Sequence, residues 1–256
     1  MRKQIAAVAV AALLVFAGCS AGGNGGATTA PETTAAGGDP VYDSPLDAQT
    51  VAQAHESVVR DAGSFTLVST SNQTQGNQSF GVESSTAVDL ATAAYFSRQE
   101  ASGQTIEQYG FGNGTAYQRI SMASGQTQYT VPQQSPNTSQ LAGSQLASFV
   151  GAFSFSHTGT ETIDGTETYV YEASGVEDLN QSAPGFSSLD TENVTSMSAQ
   201  VYVTDDGLVK QFGYSLTVST SNGEASVATE QQYVDVGSTT VSEPVWLDEA
   251  RANTSA

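Results

Sequence analysis

The sequence predicts an α+β fold: a large curved antiparallel β-sheet, or half-barrel, with a few short helices on its concave face. The first observation is a series of glycine-containing turn dipeptides, namely Asn113-Gly114, Ser124-Gly125, Asp206-Gly207 and Asn222-Gly223. Such dipeptides are typical of tight hairpins. The second is the alternation of apolar and polar residues around these turns, which indicates strands with one buried face. Helical periodicity is confined to two segments, so the helices serve as cover for a sheet.

The first of these segments has the signals of a helix start and stop. Ser44 is a suitable cap, Pro45 fits the first turn, and Gly63 is a suitable end. The apolar residues between them recur at helical spacing: Leu46, Val51, Ala54 and Val58. A second helical segment is expected around residues 139–150. A less regular interruption is expected between residues 176 and 192.

The turns of the C-terminal half predict a three-stranded meander. We take Asp206-Gly207 and Asn222-Gly223 as two-residue turns. Phe212 then lies opposite Val201 in one hairpin and opposite Tyr233 in the other. Both registers gather the apolar residues on one face, which carries Met197, Ala199, Val201, Val203, Phe212, Tyr214, Leu216, Val218, Val227 and Tyr233. The opposite face is polar, so the meander has one buried side.

The same procedure predicts a second meander around Asn113-Gly114 and Ser124-Gly125. Its apolar face is expected to carry Tyr109, Phe111, Ala116, Ile120, Met122, Tyr129 and Val131. Its other face is expected to carry Gln108, Tyr117, Arg119, Ser121, Gln128 and Thr130. Both apolar faces then line one concave surface, which the two helical segments cover.

Two interpretations of that hollow remain open. It is either a dry, filled core or an under-covered cavity for an apolar ligand. The candidate cavity residues are Tyr109, Phe111, Ile120, Tyr129, Phe153, Val201, Phe212, Tyr214, Leu216 and Tyr233. Trp246, the single tryptophan, is expected to hold the last segment on the sheet and not to contact a ligand.

The N-terminal segment has the pattern of an export signal. Arg2 and Lys3 precede an apolar stretch over residues 5–16 that is too short to span a bilayer comfortably. Two small residues and then Cys19, the one cysteine, follow it. This order resembles a lipobox, in which the cysteine carries lipid, although Phe16 stands where a small aliphatic residue is usual. The alternative is an ordinary secretory signal with a chance cysteine.

These patterns divide the chain into four parts. Residues 1–18 are expected to be the signal peptide, and residues 19–44 a lipidated cysteine with a flexible Gly/Ala/Thr linker. Residues 45–248 form the folded domain, and residues 249–256 a disordered tail.

Charge narrows the list of partners. Seven basic against 26 acidic residues give a net charge of −19, which disfavours nucleic acid and anionic membrane surfaces. Lysine is confined to Lys3 and Lys210. This composition is typical of salt-adapted archaeal proteins, and an acidic surface protein of another origin is the alternative.

Asparagine usage indicates an exported glycoprotein. Seven of the nine asparagines begin an Asn-X-Ser/Thr acceptor sequence: Asn72, Asn77, Asn113, Asn137, Asn180, Asn193 and Asn253.

The sequence carries no recognisable catalytic pattern, which favours a protein that is not an enzyme and has no cofactor. His55 and His157 stand far apart, without the spacing of a metal site. There is no nucleophile elbow, P-loop or dinucleotide glycine motif. The carboxylates near Asp164 are expected at an acidic hairpin tip.

Several segments together resemble haloarchaeal surface lipoproteins. They are the cysteine and linker, SFTLVS after the first helix, GTETIDGTETYVYEASG in the middle, the late VYVTDDGLVKQFGY and the closing EPVWLDEA. The layout is similar to that of the lipoprotein-carrier superfamily (LolA and the LppX/LprAFG type). That resemblance implies a half-barrel whose concave face, under helices, holds a hydrophobic cavity for acyl chains.

The expected function is that of a membrane-tethered extracytoplasmic lipoprotein, facing the cell exterior, that binds or carries a lipid or another apolar ligand. Membrane lipid through Cys19 and the apolar ligand are then its partners. The alternative is a non-catalytic cell-surface interaction or structural module with a packed core, whose partner is an envelope protein.

The lipid-anchor hypothesis predicts the fate of a cysteine variant. Cys19→Ser removes the thiol that would carry lipid, so we expect the protein to move from the membrane fraction to the medium. Fractionation of expressing cells with immunodetection measures this. A variant that stays with the membrane as the wild type does would refute the anchor.

Overall fold

The computed structural model describes residues 40–254 except Ser188 and Asn222, and it leaves the side chains of Ser139 and Ser144 undescribed. The predicted signal peptide, Cys19 and nearly all of the predicted linker lie outside the described residues. Eleven strands are present in the described part: β1 Ser64–Gln75, β2 Gln78–Asp89, β3 Ala94–Ala101, β4 Gln104–Gly110, β5 Ala116–Met122, β6 Thr127–Thr130, β7 Ser156–Ile163, β8 Thr166–Ser174, β9 Val194–Val203, β10 Val209–Thr220 and β11 Gly223–Val234.

The strands form one open, curved antiparallel sheet in the order β6-β5-β4-β3-β2-β1-β11-β10-β9-β8-β7. Within the described residues, four helices accompany it: α1 Ala48–Ala62, α2 Thr138–Leu141, α3 Ser144–Val150 and α4 Leu247–Thr254. Short 3₁₀ turns occur at Val176–Asp178 and Thr191–Asn193. The predicted fold class is confirmed, as are the helical segment near residue 145 and the irregular interruption before β9.

The first helix begins later than the sequence predicts. Asp47 is its cap, because its carboxylate accepts a hydrogen bond from the N–H of Thr50 at 2.8 Å. The prediction of Ser44 as the cap is wrong, since the Ser44 hydroxyl instead accepts from the main-chain N–H of His157 at 2.9 Å. The helix ends at Gly63 as predicted, where φ is +79°. Its buried residues lie four apart: Val51, His55 and Val59.

Successive side chains of a strand point to opposite faces of the sheet, and the two faces are buried at different ends. We call the face covered by α1 the inner face and the opposite one the outer face. At the end formed by β8 to β11, the inner face is buried. Its core includes Tyr171, Val201, Phe212 and Tyr233, together with Phe65 of β1.

At the other end of the sheet the buried face is the outer one. Trp246, Leu247 and Ala250 form a second core there with Tyr109. The partly buried residues around it are Phe96, Phe111, Tyr117, Tyr129 and Val241. The prediction of a disordered tail from residue 249 is therefore wrong up to Thr254, because α4 packs its apolar side on this end of the sheet.

The folded part also begins before residue 45. The main-chain N–H of Tyr42 donates to the Tyr171 hydroxyl at 2.8 Å, and that hydroxyl donates to the carbonyl of Tyr42 at 3.1 Å. The predicted linker is too long at its C-terminal end, since Tyr42 is hydrogen-bonded to β8 and Ser44 to β7.

The register predicted for the second meander is wrong by one residue. Gly110 pairs with Ala116, because the loop between them contains Gly114 at φ +83° as an extra residue. Gly125, at φ +84°, has the same role in the next loop. A slip of one residue moves side chains to the other face. Ala116, Ile120 and Met122 therefore share the inner face, and the outer face carries Tyr109, Tyr117, Arg119 and Tyr129.

The face predicted for the C-terminal meander is confirmed. Phe212 lies opposite Val201, although the turn between their strands has three residues, because a register shift near Lys210 compensates for the extra one. On its other side Phe212 pairs with Gln231, two positions from the predicted Tyr233. A shift of two residues keeps every side chain on its face.

His55 joins α1 to the sheet through a buried contact. Its Nδ1 accepts a hydrogen bond from the N–H of Val209 at 3.1 Å, and its ring meets Tyr233 edge-on with 4.4 Å between centroids. The side chain is fully buried. Burial lowers the pKa of His55 to about 4. The main-chain carbonyl of Ala142 acts in the opposite direction and raises the pKa by a smaller amount. Nε2 itself has no hydrogen-bond partner among the described residues.

The neutral state of His55 predicts an acid-sensitive stability. The unfolded chain binds a proton at this residue near pH 6.5, whereas the folded chain binds it only near pH 4. The contribution of His55 is therefore complete above pH 6.5, and the free energy of unfolding falls by up to about 3 kcal/mol as the pH drops toward 4. Chemical denaturation across this range measures the loss, and His55→Gln isolates it from the carboxylates. Parallel pH profiles of the variant and the wild type would contradict the assignment.

Candidate functional site

Three neighbouring depressions run along β11 on the inner face, and we call them together the inner trough. Their volumes are about 280, 390 and 630 Å³. The first two share Gln145 and Gln231, and the third continues at the next inner positions of β10 and β11. From Tyr233 to Ala225 the trough spans eight residues of strand, which corresponds to about 26 Å. This length suits an extended chain molecule.

The middle depression is lined by aromatic rings from three parts of the chain. Phe149 of α3 lies over the sheet with its ring centroid 4.8 Å from that of Phe212. Phe186, from the loop after β8, lies 5.8 Å from Tyr214 and 5.6 Å from Phe153. Tyr214 is half-buried, and burial raises the pKa of its hydroxyl. The cluster therefore presents an aromatic surface that solvent reaches.

The distal depression lies where the helices no longer cover the sheet. Strands β1, β2, β10 and β11 have 12 residues each and extend beyond α3. Neighbouring strands place Phe80, Gln73, Val227 and Leu216 in one row across the inner face. The Phe80 side chain is 44% exposed. The distal depression therefore has an apolar floor with glutamine side chains at its margin.

The structure brings together half of the ten predicted cavity residues. Phe153, Phe212, Tyr214, Leu216 and Tyr233 line the inner trough. Val201 lies fully buried in the core beneath it.

The four remaining residues lie elsewhere. Ile120 is on the inner face but on β5, six strands from β10 in the sheet. The assignment of Tyr109, Phe111 and Tyr129 to the same cavity is wrong, because they pack with the second core on the outer face. The one-residue register error explains the misplacement.

Sequence reasoning missed three residues that define the trough. Phe149 was within a segment predicted only as cover, and its spacing of four from Phe153 was a usable signal. Phe186 lies in an irregular loop, where periodicity gives no information. Phe80 is an exposed aromatic on a long hairpin and breaks the polar pattern around it.

The outer-face cluster is packed and internally neutralised. Glu107 is 5% exposed and lies between two arginines, with Arg98 Nη1 at 3.0 Å and Arg119 on its other oxygen. The Tyr129 hydroxyl donates to Glu249 of α4 at 2.8 Å. Trp246 is 4% exposed under the Arg119 guanidinium. This arrangement fits the expectation that the tryptophan holds the last segment on the sheet.

In the described part of the chain, no group of three His, Cys, Asp or Glu side chains is placed to hold a metal ion. No helix there has the length and apolarity needed to cross a membrane. The side chains of all seven acceptor asparagines are exposed, and their glycosylation stays a prediction.

The fold and the trough define a protein with an open, curved sheet and an apolar groove on one face. The chain belongs to a family of unknown function (DUF7537), whose model matches residues 4–250. No match was found among curated proteins.

The solved structures to which this chain is similar include three with TM-scores below 0.5. LprF from Mycobacterium bovis shares 14% identity, with 78% of this chain and 98% of that chain covered and a TM-score of 0.42. The Mycobacterium tuberculosis lipoprotein LppX shares 12% identity over 76% and 99%, with a TM-score of 0.31. A LolA superfamily protein from Nitrosomonas europaea shares 14% over 78% and 96%, with a TM-score of 0.27.

The opposite location of the two aromatic clusters predicts a separation of stability from binding. Trp246→Ala should lower the free energy of unfolding by about 3 kcal/mol, because it empties the second core. The same variant should take up the neutral fluorescent probe N-phenyl-1-naphthylamine as the wild type does, per folded molecule. Denaturation curves and probe titrations measure the two effects. Loss of probe uptake in folded Trp246→Ala would place the apolar site on the outer face.

Proposed function

We propose that the protein binds a lipid or another apolar ligand in the inner trough and does so outside the cell while tethered to the membrane. The observation that carries the proposal is the trough itself, an apolar groove along β10 and β11 that stays open where the short helices end. Its individual depressions are within the size range of small-molecule sites or slightly below it.

Partly exposed aromatic and aliphatic side chains support a ligand in this place. Tyr214, Val218 and Val227 are half-buried and Phe80 is exposed, so each gains burial when an apolar chain covers it. Removal of apolar surface from water contributes about 25 cal/mol per Å². A contiguous surface of this kind is also typical of an interaction site.

Tethering and export rest on the N-terminal sequence alone. The basic pair, the apolar stretch and Cys19 indicate an exported lipoprotein. Two lipid chains on that cysteine would hold the domain at a membrane surface, next to the apolar molecules it would bind or carry.

The competing role is a surface interaction module with a filled core. The fully buried layer of Tyr171, Val201 and Val203 favours it for the part of the sheet beneath the trough. This role requires no apolar ligand, so uptake of a probe distinguishes the two.

A charge placed in the trough should abolish probe uptake. Val218→Glu puts a carboxylate on the inner face of β10, and burying that charge under an apolar ligand is costly. We expect at least about a tenfold loss of affinity for N-phenyl-1-naphthylamine. Thr217→Glu is the matched control, because it adds the same charge one residue away on the outer face, at a position equally half-buried.

Organic extraction of protein purified from its native host, followed by mass spectrometry, gives the complementary readout. A co-purified lipid is expected. A clean extract together with no uptake of the probe by the wild type would favour the interaction module. Equal effects of Val218→Glu and Thr217→Glu would place the probe outside the trough.

A further inference from the structure

The two faces of the sheet differ in charge far more than in exposure. Every inner-face position of β1 to β6 and of β9 to β11 is uncharged, as the pairing of these described strands shows. The charges of the same strands lie on the outer face, where Glu83, Glu100, Glu107, Glu224 and Glu230 are examples. The inner face of these nine strands is therefore free of charged side chains, and the inner-face carboxylate of Glu167 lies on β8, two strands from β10 in the sheet.

Burial does not explain this pattern. Gln73, Gln75 and Gln78, at the distal margin of the trough, are all exposed, and so is Gln99 on the inner face of β3. Exposed positions of a chain with 26 acidic residues would ordinarily include carboxylates, as the outer face does. The inner face instead uses amides and hydroxyls wherever solvent reaches it.

The segment that covers the trough follows the same rule. Between Arg119 and Glu161 the sequence contains no Asp, Glu, Lys or Arg, and this stretch includes α2 and α3. Gln140, Gln145 and Ser148 are its polar contributions to the lining. The strands below the trough and the segment above it are therefore both uncharged where they line it, and this holds for all three depressions.

An uncharged lining selects against charged ligands. A phosphate, carboxylate or ammonium group in the trough would lose water without gaining an opposite charge, which is costly. A side-chain amide carries two N–H donors and an accepting oxygen, and it pairs well with hydroxyl groups, which both donate and accept. The glutamine margin thus matches a neutral, hydroxyl-bearing group.

We infer that the ligand is an uncharged amphiphile whose apolar chain lies in the inner trough and whose hydroxyl-bearing head, a sugar or polyol, lies against Gln73, Gln75 and Gln78. This inference rests on the proposed function and names its ligand class. Phe80 borders the same margin and offers an apolar surface to the C–H face of a sugar ring.

Isothermal titration with three amphiphiles of equal chain length tests the ligand class. The probes are decyl maltoside, decyl sulfate and decyltrimethylammonium, each below its micelle concentration, with the full chain in 1 M NaCl. At that salt concentration the Debye length is about 3 Å, so the net negative charge of the protein no longer decides the result. We expect decyl maltoside to bind at least about tenfold more tightly than either charged probe.

A pair of lysine variants tests the location of the head group. Gln78→Lys puts a cation at the margin of the trough. Ser219→Lys puts it on the outer face at the distal end of β10, at an equally exposed position that lines none of the three depressions. Gln78→Lys should strengthen decyl sulfate binding about fivefold or more and weaken decyl maltoside binding. Ser219→Lys should leave both affinities as in the wild type.

The outcomes separate this inference from the function on which it rests. Equal affinities for the three probes, or tighter binding of decyl sulfate by the wild type, would overturn the neutral head group while leaving an apolar site. Equal responses of the two lysine variants would overturn its location. No binding of any of the three probes, with no uptake of the neutral fluorescent probe, would overturn the proposed function as well.

Discussion

The helices on the inner face are much shorter than the strands on which they pack, and this difference in length determines which part of the sheet is covered. A 12-residue strand such as β10 is about 40 Å long, whereas the 15 residues of α1 make about 22 Å of helix. α1 and α3 bury the inner face near Phe212 and Tyr233, and the same strands continue past them. That part of the inner face carries Val218 and Val227, which are half-buried, so the trough arises from a mismatch of lengths and not from a missing side chain.

The sheet can bury opposite faces at its two ends because the pleat sends alternate residues to each side. On the β8–β11 side the inner face packs under α1 and α3. On the β4–β6 side, α4 and Trp246 cover the outer face. Beyond the trough, the inner face of β2 to β5 carries glutamines such as Gln99 and Gln108 beside apolar residues such as Ile106 and Ile120. The inner face therefore continues as an uncharged surface of mixed polarity.

Much of the fold could be predicted from alternation and turn residues, and the limits of that reasoning are physical. The sequence predicts the correct face of the C-terminal meander because a register shift near Lys210 cancels a one-residue error at Gly207. At Gly114 and Gly125 the same kind of three-residue loop has no compensating shift, so the predicted face of Tyr109 is wrong. Turn dipeptides alone do not distinguish two-residue from three-residue loops.

The site was harder to predict than the fold, because its lining comes from a helix and an irregular loop whose positions depend on tertiary packing. Phe149 and Phe186 meet only in three dimensions. The long uncharged stretch before Glu161 was visible in the sequence, and its meaning depends on knowing that it covers an uncharged sheet face.

Crystallography with a decyl maltoside brominated at the end of its chain locates the ligand in the fold, because anomalous scattering identifies the bromine without reference to the protein. We expect bromine in the inner trough beside Phe149 and Tyr214, with the sugar near Gln75. Bromine beside Trp246 on the outer face, or a trough closed by repacked side chains with no bromine in it, would refute a ligand site in the trough.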